Sequence, residues 1–227
     1  MDFVVARSLN GLYIVLDIAW LAVFATLLMI FKRRTAALVG LLAGVLYFIV
    51  DYGYFYRLLG SRVVTGAGTA PFLAWLSMSY GFTNFAWIWI LLDRDERALE
   101  WSLVPIIGWV ALGQLSDNFG AGFAQITISR GTGSYHGAMA LILLVGYAIA
   151  IVHNLRGKER IPLLRLMAIG IGVQFAWEAA LLINGIRPAA WQPIVINSLI
   201  ETNLGMPYMY FIHKAVTERR RKKGLPG

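Results

Sequence analysis

Residues 193–213 read PIVINSLIETNLGMPYMYFIH, an apolar run of membrane-spanning length that carries one acid, Glu201. Glu201 lies about 12 Å of helix rise inside that run. A carboxylate at that depth costs several kcal/mol unless it is protonated, paired or wetted. In a continuous helix, Asn197, Ser198, Gly205 and Tyr208 stand at offsets −4, −3, +4 and +7 and share its face. The stripe joins an acid, an amide, a hydroxyl and a phenol, with a glycine that admits a close neighbour.

The remainder of the chain has the same apolar character. Its 227 residues are 59% hydrophobic and 14% charged, with a mean hydropathy of +0.66. That is outside the range of soluble domains and predicts an all-α integral membrane protein. Seven spans are expected, at 11–31, 36–58, 71–92, 99–115, 135–152, 163–183 and 193–213. They form one membrane domain over 1–213, followed by a basic tail over 214–227. No removable signal peptide is read at the start. The absence of cysteine excludes disulfides, thiol catalysis and thiolate metal sites.

The net charge of +8 is unevenly placed. Lys32-Arg33-Arg34, Arg94 with Arg97, and Arg156, Lys158 and Arg160 follow the first, third and fifth spans, and the tail carries Arg219 to Lys223. The opposite connections hold Arg62, Arg130 and Arg187. The positive-inside rule then places the N-terminus outside and the C-terminus in the cytoplasm. The tail reads as a topology and headgroup anchor and not as a nucleic-acid site. The expected location is a bacterial inner membrane or its equivalent. The Gly-, Ser- and Thr-rich stretch 116–137 is expected to be a flexible loop or a re-entrant cap.

One order of features occurs twice. Asp51 is followed by Gly60-Ser61-Arg62, Pro71 and Ser79-x-x-x-Thr83-Asn84. Glu178 is followed by Gly185-Ile186-Arg187, Pro193 and Ser198-x-x-x-Thr202-Asn203. This predicts a 3+1+3 parallel repeat, an arrangement that transporters use with binding sites between the halves.

Asp17, Asp51, Glu178 and Glu201 are all placed in the outer half of the bilayer by this topology, which predicts one shared chamber. No lysine or arginine is expected at their level. Tyr47, Asp51 and Tyr54 share a helical face, as do Gln174 and Glu178. Gln114 ends span four at similar depth, and Trp20, Trp75, Tyr80, Trp177 and Trp191 supply aromatic surface. A desolvated acid without a cationic partner favours its neutral form and can act as a proton donor. His136, His153 and His213 are too scattered for a metal triad, and no metal or cofactor is expected. Gly40-x-x-x-Gly44 reads as close helix packing. The last span has no central lysine for a retinal Schiff base.

Glu201-Thr-Asn-Leu-Gly205-Met-Pro-Tyr208-Met-Tyr210, Asp51 within Val50-Asp51-Tyr52-Gly53-Tyr54, and the Trp177-Glu178 pair resemble the small integral-membrane terpene cyclases of meroterpenoid and indole-terpenoid pathways. Those proteins have seven spans, a Trp-Glu pair in an early span and an acid followed by glycine and aromatics in the last. Here Asp51 lacks the preceding tryptophan, and the literal Trp-Glu pair stands in span six. The resemblance implies cyclisation of a linear isoprenoid, started by protonation of an epoxide or terminal alkene. It implies Asp51 and Glu201 as the acid pair, with Glu178 assisting or substituting. Asp17, Trp20, Tyr47, Tyr54, Trp75, Tyr80, Gln114, Gln174, Trp177, Asn197 and Tyr208 would line the substrate chamber. The substrate would be a lipophilic prenylated small molecule. A small-solute or proton-coupled transporter and a structural membrane subunit remain the alternative readings.

Overall fold

The computed structural model describes residues 3–131, 135–157, 160–191 and 193–223. Lys158 of the third basic connection, 132–134 of the long loop, the His136 side chain and 224–227 of the tail lie outside the described residues. Helix dominates, at 76% of the chain. Among the described residues, five helices are long and apolar enough to cross a membrane by length and composition. The chain divides into two units, Met1–Gly133 with Ala176–Ala190, and Ser134–Phe175 with Trp191–Gly227.

The first unit holds α1 (Gly11–Ile30), α2 (Arg34–Phe48), α3 (Thr69–Leu92) and α4 (Ala98–Phe119). The π-helical segment Ile49–Leu58 continues α2 and changes its period from 3.6 residues per turn. Of these helices α3 is the most deeply buried along its length. It reaches α2 at van der Waals distance because both contribute glycine. A Cβ on Gly81 would fall 2.7 Å from the Gly44 Cα, and one on Gly40 2.5 Å from the Phe82 carbonyl oxygen.

A three-stranded antiparallel sheet, absent from the all-helical expectation, joins the connections of this unit. Strands β1 (Phe3–Asn10) and β2 (Arg62–Thr65) flank β3 (Gln125–Gly131) in the order β1-β3-β2. Ser8 pairs Thr127 on one side, and Val64 pairs Ile128 on the other. The expected loop 116–137 is therefore partly strand. Ile126 and Ile128 are buried while Gln125 is exposed, the alternation of a half-buried strand. The Ser8 N–H also donates to the Ile186 carbonyl at 2.7 Å, which attaches the turn after α6 (Leu163–Ile183) to the outer edge of β1. The N-terminal strand and three connections thus meet at one end of this unit. Elsewhere in it, Arg33 of the α1–α2 turn forms an ion pair with Asp95 of the α3–α4 turn.

Asn10 fixes the junction of sheet and helix. Its Oδ1 accepts from the Tyr13 N–H at 3.2 Å, capping α1. The same oxygen accepts from the Ser116 hydroxyl at 2.7 Å, and Asn10 Nδ2 donates to the Ser116 carbonyl at 2.9 Å.

The second unit contains α5 (Tyr135–Arg156), the part of α6 up to Phe175, and the chain from Trp191 onward. Asn154 closes the α5–α6 connection through both ends of its amide, Nδ2 to the Ile161 carbonyl at 2.9 Å and Oδ1 from the Ile161 N–H at 2.6 Å. The expected last span is interrupted. It consists of π-helix Pro193–Asn197, the single turn α7 (Ser198–Ile200), a bend at Glu201 and Thr202, the 3-10 turn Asn203–Gly205, and α8 (Met206–Lys222).

Candidate functional site

Glu201 sits at the break in the last span. Gln174 Nε2 donates to its Oε2 at 2.9 Å, and the Thr202 hydroxyl donates to Gln174 Oε1 at 2.5 Å. The hydroxyl engages the carbonyl end of the amide, so the nitrogen end faces the acid. Gln174 is fully buried, whereas Glu201 is only half-buried. No ion pair engages Glu201 among the described residues. Next to it, the Tyr147 phenol donates to Asn203 Oδ1 at 2.6 Å.

The break also changes which residues accompany the acid. Asn197 meets Glu201 through the backbone, its carbonyl accepting the Glu201 N–H at 2.8 Å. Tyr208 lies instead against α5, with its hydroxyl donating to the Ile142 carbonyl at 3.0 Å. An α-helical offset of +7 does not hold across a turn of different period.

The expectation that no arginine stands level with the acids is overturned. Arg62 Nε and Nη2 both reach Asp51 Oδ1, at 3.2 and 3.1 Å. Arg187 Nη2 donates to Glu178 Oε1 at 2.9 Å, with Nε 2.5 Å from Oε2. Both pairs use one device. A helix ends, a glycine adopts positive φ (58° at Gly60, 64° at Gly185), and the arginine two residues later folds back onto the acid. Positive φ is open to glycine at little steric cost, which explains that residue at both turns. Arg187 engages both oxygens of Glu178, whereas Arg62 engages only Oδ1 of Asp51, and protonating either acid would weaken its pair.

Asp17 is buried differently. Its Oδ2 accepts from Trp75 Nε1 at 2.8 Å, and Ser79 stands beside the same carboxyl. The Trp75 ring meets Tyr13 edge-on at 6.1 Å. Arg7 and Tyr13 belong to this interior and were not among the sequence candidates. The buried arginine of β1 has its Cζ 5.5 Å from the Trp177 ring centroid. Residues 3–10 read FVVARSLN, with no period-two alternation, so the strand that brings Arg7 inward carried no local signal.

The candidate aromatics divide. Tyr47, Tyr80, Trp177 and Trp109 form a continuous series in the first unit, with centroid separations of 4.9, 5.7 and 4.7 Å. Trp20 packs on α4, where a Cβ on Gly108 would meet its ring at 2.7 Å. Tyr54 is exposed, because the π-helical turn moves it off the face of Tyr47. Gln114 donates to Asn184 Oδ1 at 3.1 Å, and Asn184 in turn donates to the Trp109 carbonyl at 3.0 Å, so Gln114 supports the aromatic series indirectly. Glu201 belongs to the second unit and the other three acids to the first. No protein-family model, curated protein or solved structure matches the chain.

Proposed function

We propose that the protein is an integral-membrane terpene cyclase in which Glu201 delivers the initiating proton to a linear isoprenoid. The observation that carries this reading is the Glu201–Gln174–Thr202 chain at the interrupted last span. It holds an accessible carboxyl in place by an amide and not by a guanidinium. The proton goes to an epoxide oxygen or terminal alkene carbon, the chain's double bonds close rings, and loss of a proton from the final cation restores the composition. The product is a cyclic isomer of the substrate. Separately, the first unit offers indole and phenol faces of the kind that stabilise carbocations without trapping them.

Asp51 and Glu178 are assigned to architecture in this proposal, which departs from the residue roles that the family resemblance implies. Their shared glycine–arginine device supports the 3+1+3 repeat. We read α3 and the interrupted stretch 193–213 as the two further spans of a seven-span protein with its N-terminus outside. The sheet gathers connections of the arginine-poor side, and the Arg33–Asp95 pair joins two turns of the basic side.

The test is a membrane assay of wild type and Glu201→Gln, given linear farnesyl- and geranylgeranyl-bearing substrates with and without a terminal epoxide. Cyclic isomers of unchanged mass, formed by wild type and lost in the folded variant, are the expected result. The interrupted last span also favours a transporter, since broken helices line transport sites. Acid-dependent solute uptake into liposomes, without any isomerisation, would decide for that alternative.

A further inference from the structure

The first unit contains polar groups that the proposed reaction does not use. Asn84, fully buried on α3, has no hydrogen-bond partner among the described residues at either its oxygen or its nitrogen. Ser77 Oγ and Thr83 Oγ1 on the same helix are also buried and unpartnered. Buried amides are normally satisfied, because an unpaired one retains the whole desolvation cost. This one therefore calls for an explanation.

Its surroundings are specific. Asn84 follows Tyr80 by four residues and precedes Trp87 by three, so all three share one stripe of α3. Tyr80 meets Trp177 at 5.7 Å, Trp177 meets Trp109 at 4.7 Å, and Trp109 meets Trp87 at 6.4 Å. These contacts return to the stripe from which they start. Trp109 and Trp177 each carry a further unpartnered indole N–H.

The second Ser-x-x-x-Thr-Asn sequence gives the comparison. There the Asn203 amide accepts from the Tyr147 phenol at 2.6 Å and donates to the Leu199 carbonyl at 3.3 Å, while Thr202 donates to Gln174. The Thr-Asn pair is satisfied within the protein at 202–203 and left open among the described residues at 83–84. The leading serines differ the other way, Ser198 Oγ being unpartnered and Ser79 standing beside Asp17.

We propose that Asn84 is a ligand-recognition residue whose amide hydrogen-bonds an uncharged oxygen, a hydroxyl or carbonyl, on a largely apolar molecule. The stripe offers a neutral donor and acceptor among aromatic faces. That combination suits a lipophilic molecule with one oxygen function. The nearby guanidinium of Arg7 lies over the Trp177 ring. The site stands on geometry alone, whereas the isoprenoid probe chosen below rests on the proposed reading.

The experiment measures binding without turnover. Wild type, Asn84→Ala and Asn84→Val are placed in lipid nanodiscs and titrated with geranylgeraniol and with the matching hydrocarbon that lacks the hydroxyl. Tryptophan fluorescence reports binding, and thermal unfolding is recorded without probe. Wild type is expected to prefer the alcohol by about tenfold, the worth of one neutral hydrogen bond. Both variants should lose that preference and unfold at a midpoint no lower than wild type, because truncation removes unpaired polar atoms. Equal binding of both probes by wild type, or no binding of the alcohol, overturns the proposal. So does an alcohol preference retained in either variant. A fall in midpoint in both variants would make the amide structural and overturn it too. Loss of turnover in Glu201→Gln affects none of these readings.

Discussion

Arg187 closes on Glu178 from two directions, Nη2 donating to Oε1 at 2.9 Å and Nε standing 2.5 Å from Oε2, around an acid that is fully buried. The ion pair spans nine residues of sequence and depends on the left-handed turn at Gly185. It converts two costly buried charges into one clasp that ties the end of α6 to the turn beside β1.

Breaking that clasp from one side should be severe. Arg187→Met takes the guanidinium from a buried carboxylate and is expected to destabilise the protein by about 3–5 kcal/mol. The double variant Arg187→Met with Glu178→Gln should recover most of the loss. Thermal unfolding of the four combinations measures the coupling, and simple additivity would show that the pair does not act as a unit.

The Asp51–Arg62 pair is less secluded, with the acid side chain 15% exposed. Asp51→Asn should therefore cost about 1–2 kcal/mol, between the limits for exposed and buried pairs. If Asp51 is architectural, this variant keeps most of its turnover in the isoprenoid assay while Glu201→Gln loses it. The reverse pattern would return the donor role to Asp51.

Gln174 should behave as a positioning residue. Gln174→Leu removes the amide that holds Glu201, and Thr202→Val frees that amide to turn. Glu201→Gln is expected to lower turnover by about 10²–10⁴, the usual worth of a positioned acid. The two neighbouring variants should lower it less, with Thr202→Val the milder. Equal and complete loss in all three, with stability unchanged, would contradict this ordering.

Asn10 is predicted to be a stability determinant. Asn10→Ala removes the α1 cap and both hydrogen bonds to Ser116, at a cost of about 1–2 kcal/mol. Thermal unfolding checks it. An unchanged midpoint would show that the sheet holds this junction without the cap.

Orientation can be read directly, since the chain has no native cysteine. Thr65→Cys at the exposed end of β2 should react with an impermeant maleimide added to intact cells. Glu96→Cys in the α3–α4 turn should react only after permeabilisation. Labelling of both from one side would refute the proposed alternation.

Much of the helical layout was legible because it is local. Apolar length placed α1, α3 and α6 within a few residues of their observed ends, and Gly40 and Gly44 announced close helix packing, for which the structure supplies α3 as the partner. The repeated order of acid, glycine and arginine was also visible along the chain, although its purpose was not. Face-sharing arguments failed at Tyr54 and Tyr208, where π-helical and 3-10 turns replace the period on which such arguments rest. Tyr47 and Tyr80, expected only as polar-face and aromatic-surface residues, meet across α2 and α3 at a centroid separation of 4.9 Å.

By itself the sequence determined a helix-rich apolar chain with helices of membrane-spanning length that carry acids, because hydrophobic length and period are properties of contiguous residues. Tertiary structure decided which acids are neutralised. Arg62 opens β2 and Arg187 lies in the turn after α6, both outside any helical register, and they reach Asp51 and Glu178 only when Gly60 and Gly185 reverse the chain. It also decided that 3–10, 62–65 and 125–131 form one sheet, since antiparallel pairing joins segments whose separation in sequence carries no local signal. Glu201, held by Gln174 with no ion pair among the described residues, and Asn84, with no hydrogen-bond partner among them, differ in surroundings from Asp51 and Glu178 for the same reason: a side chain's neighbours are what folding brings next to it.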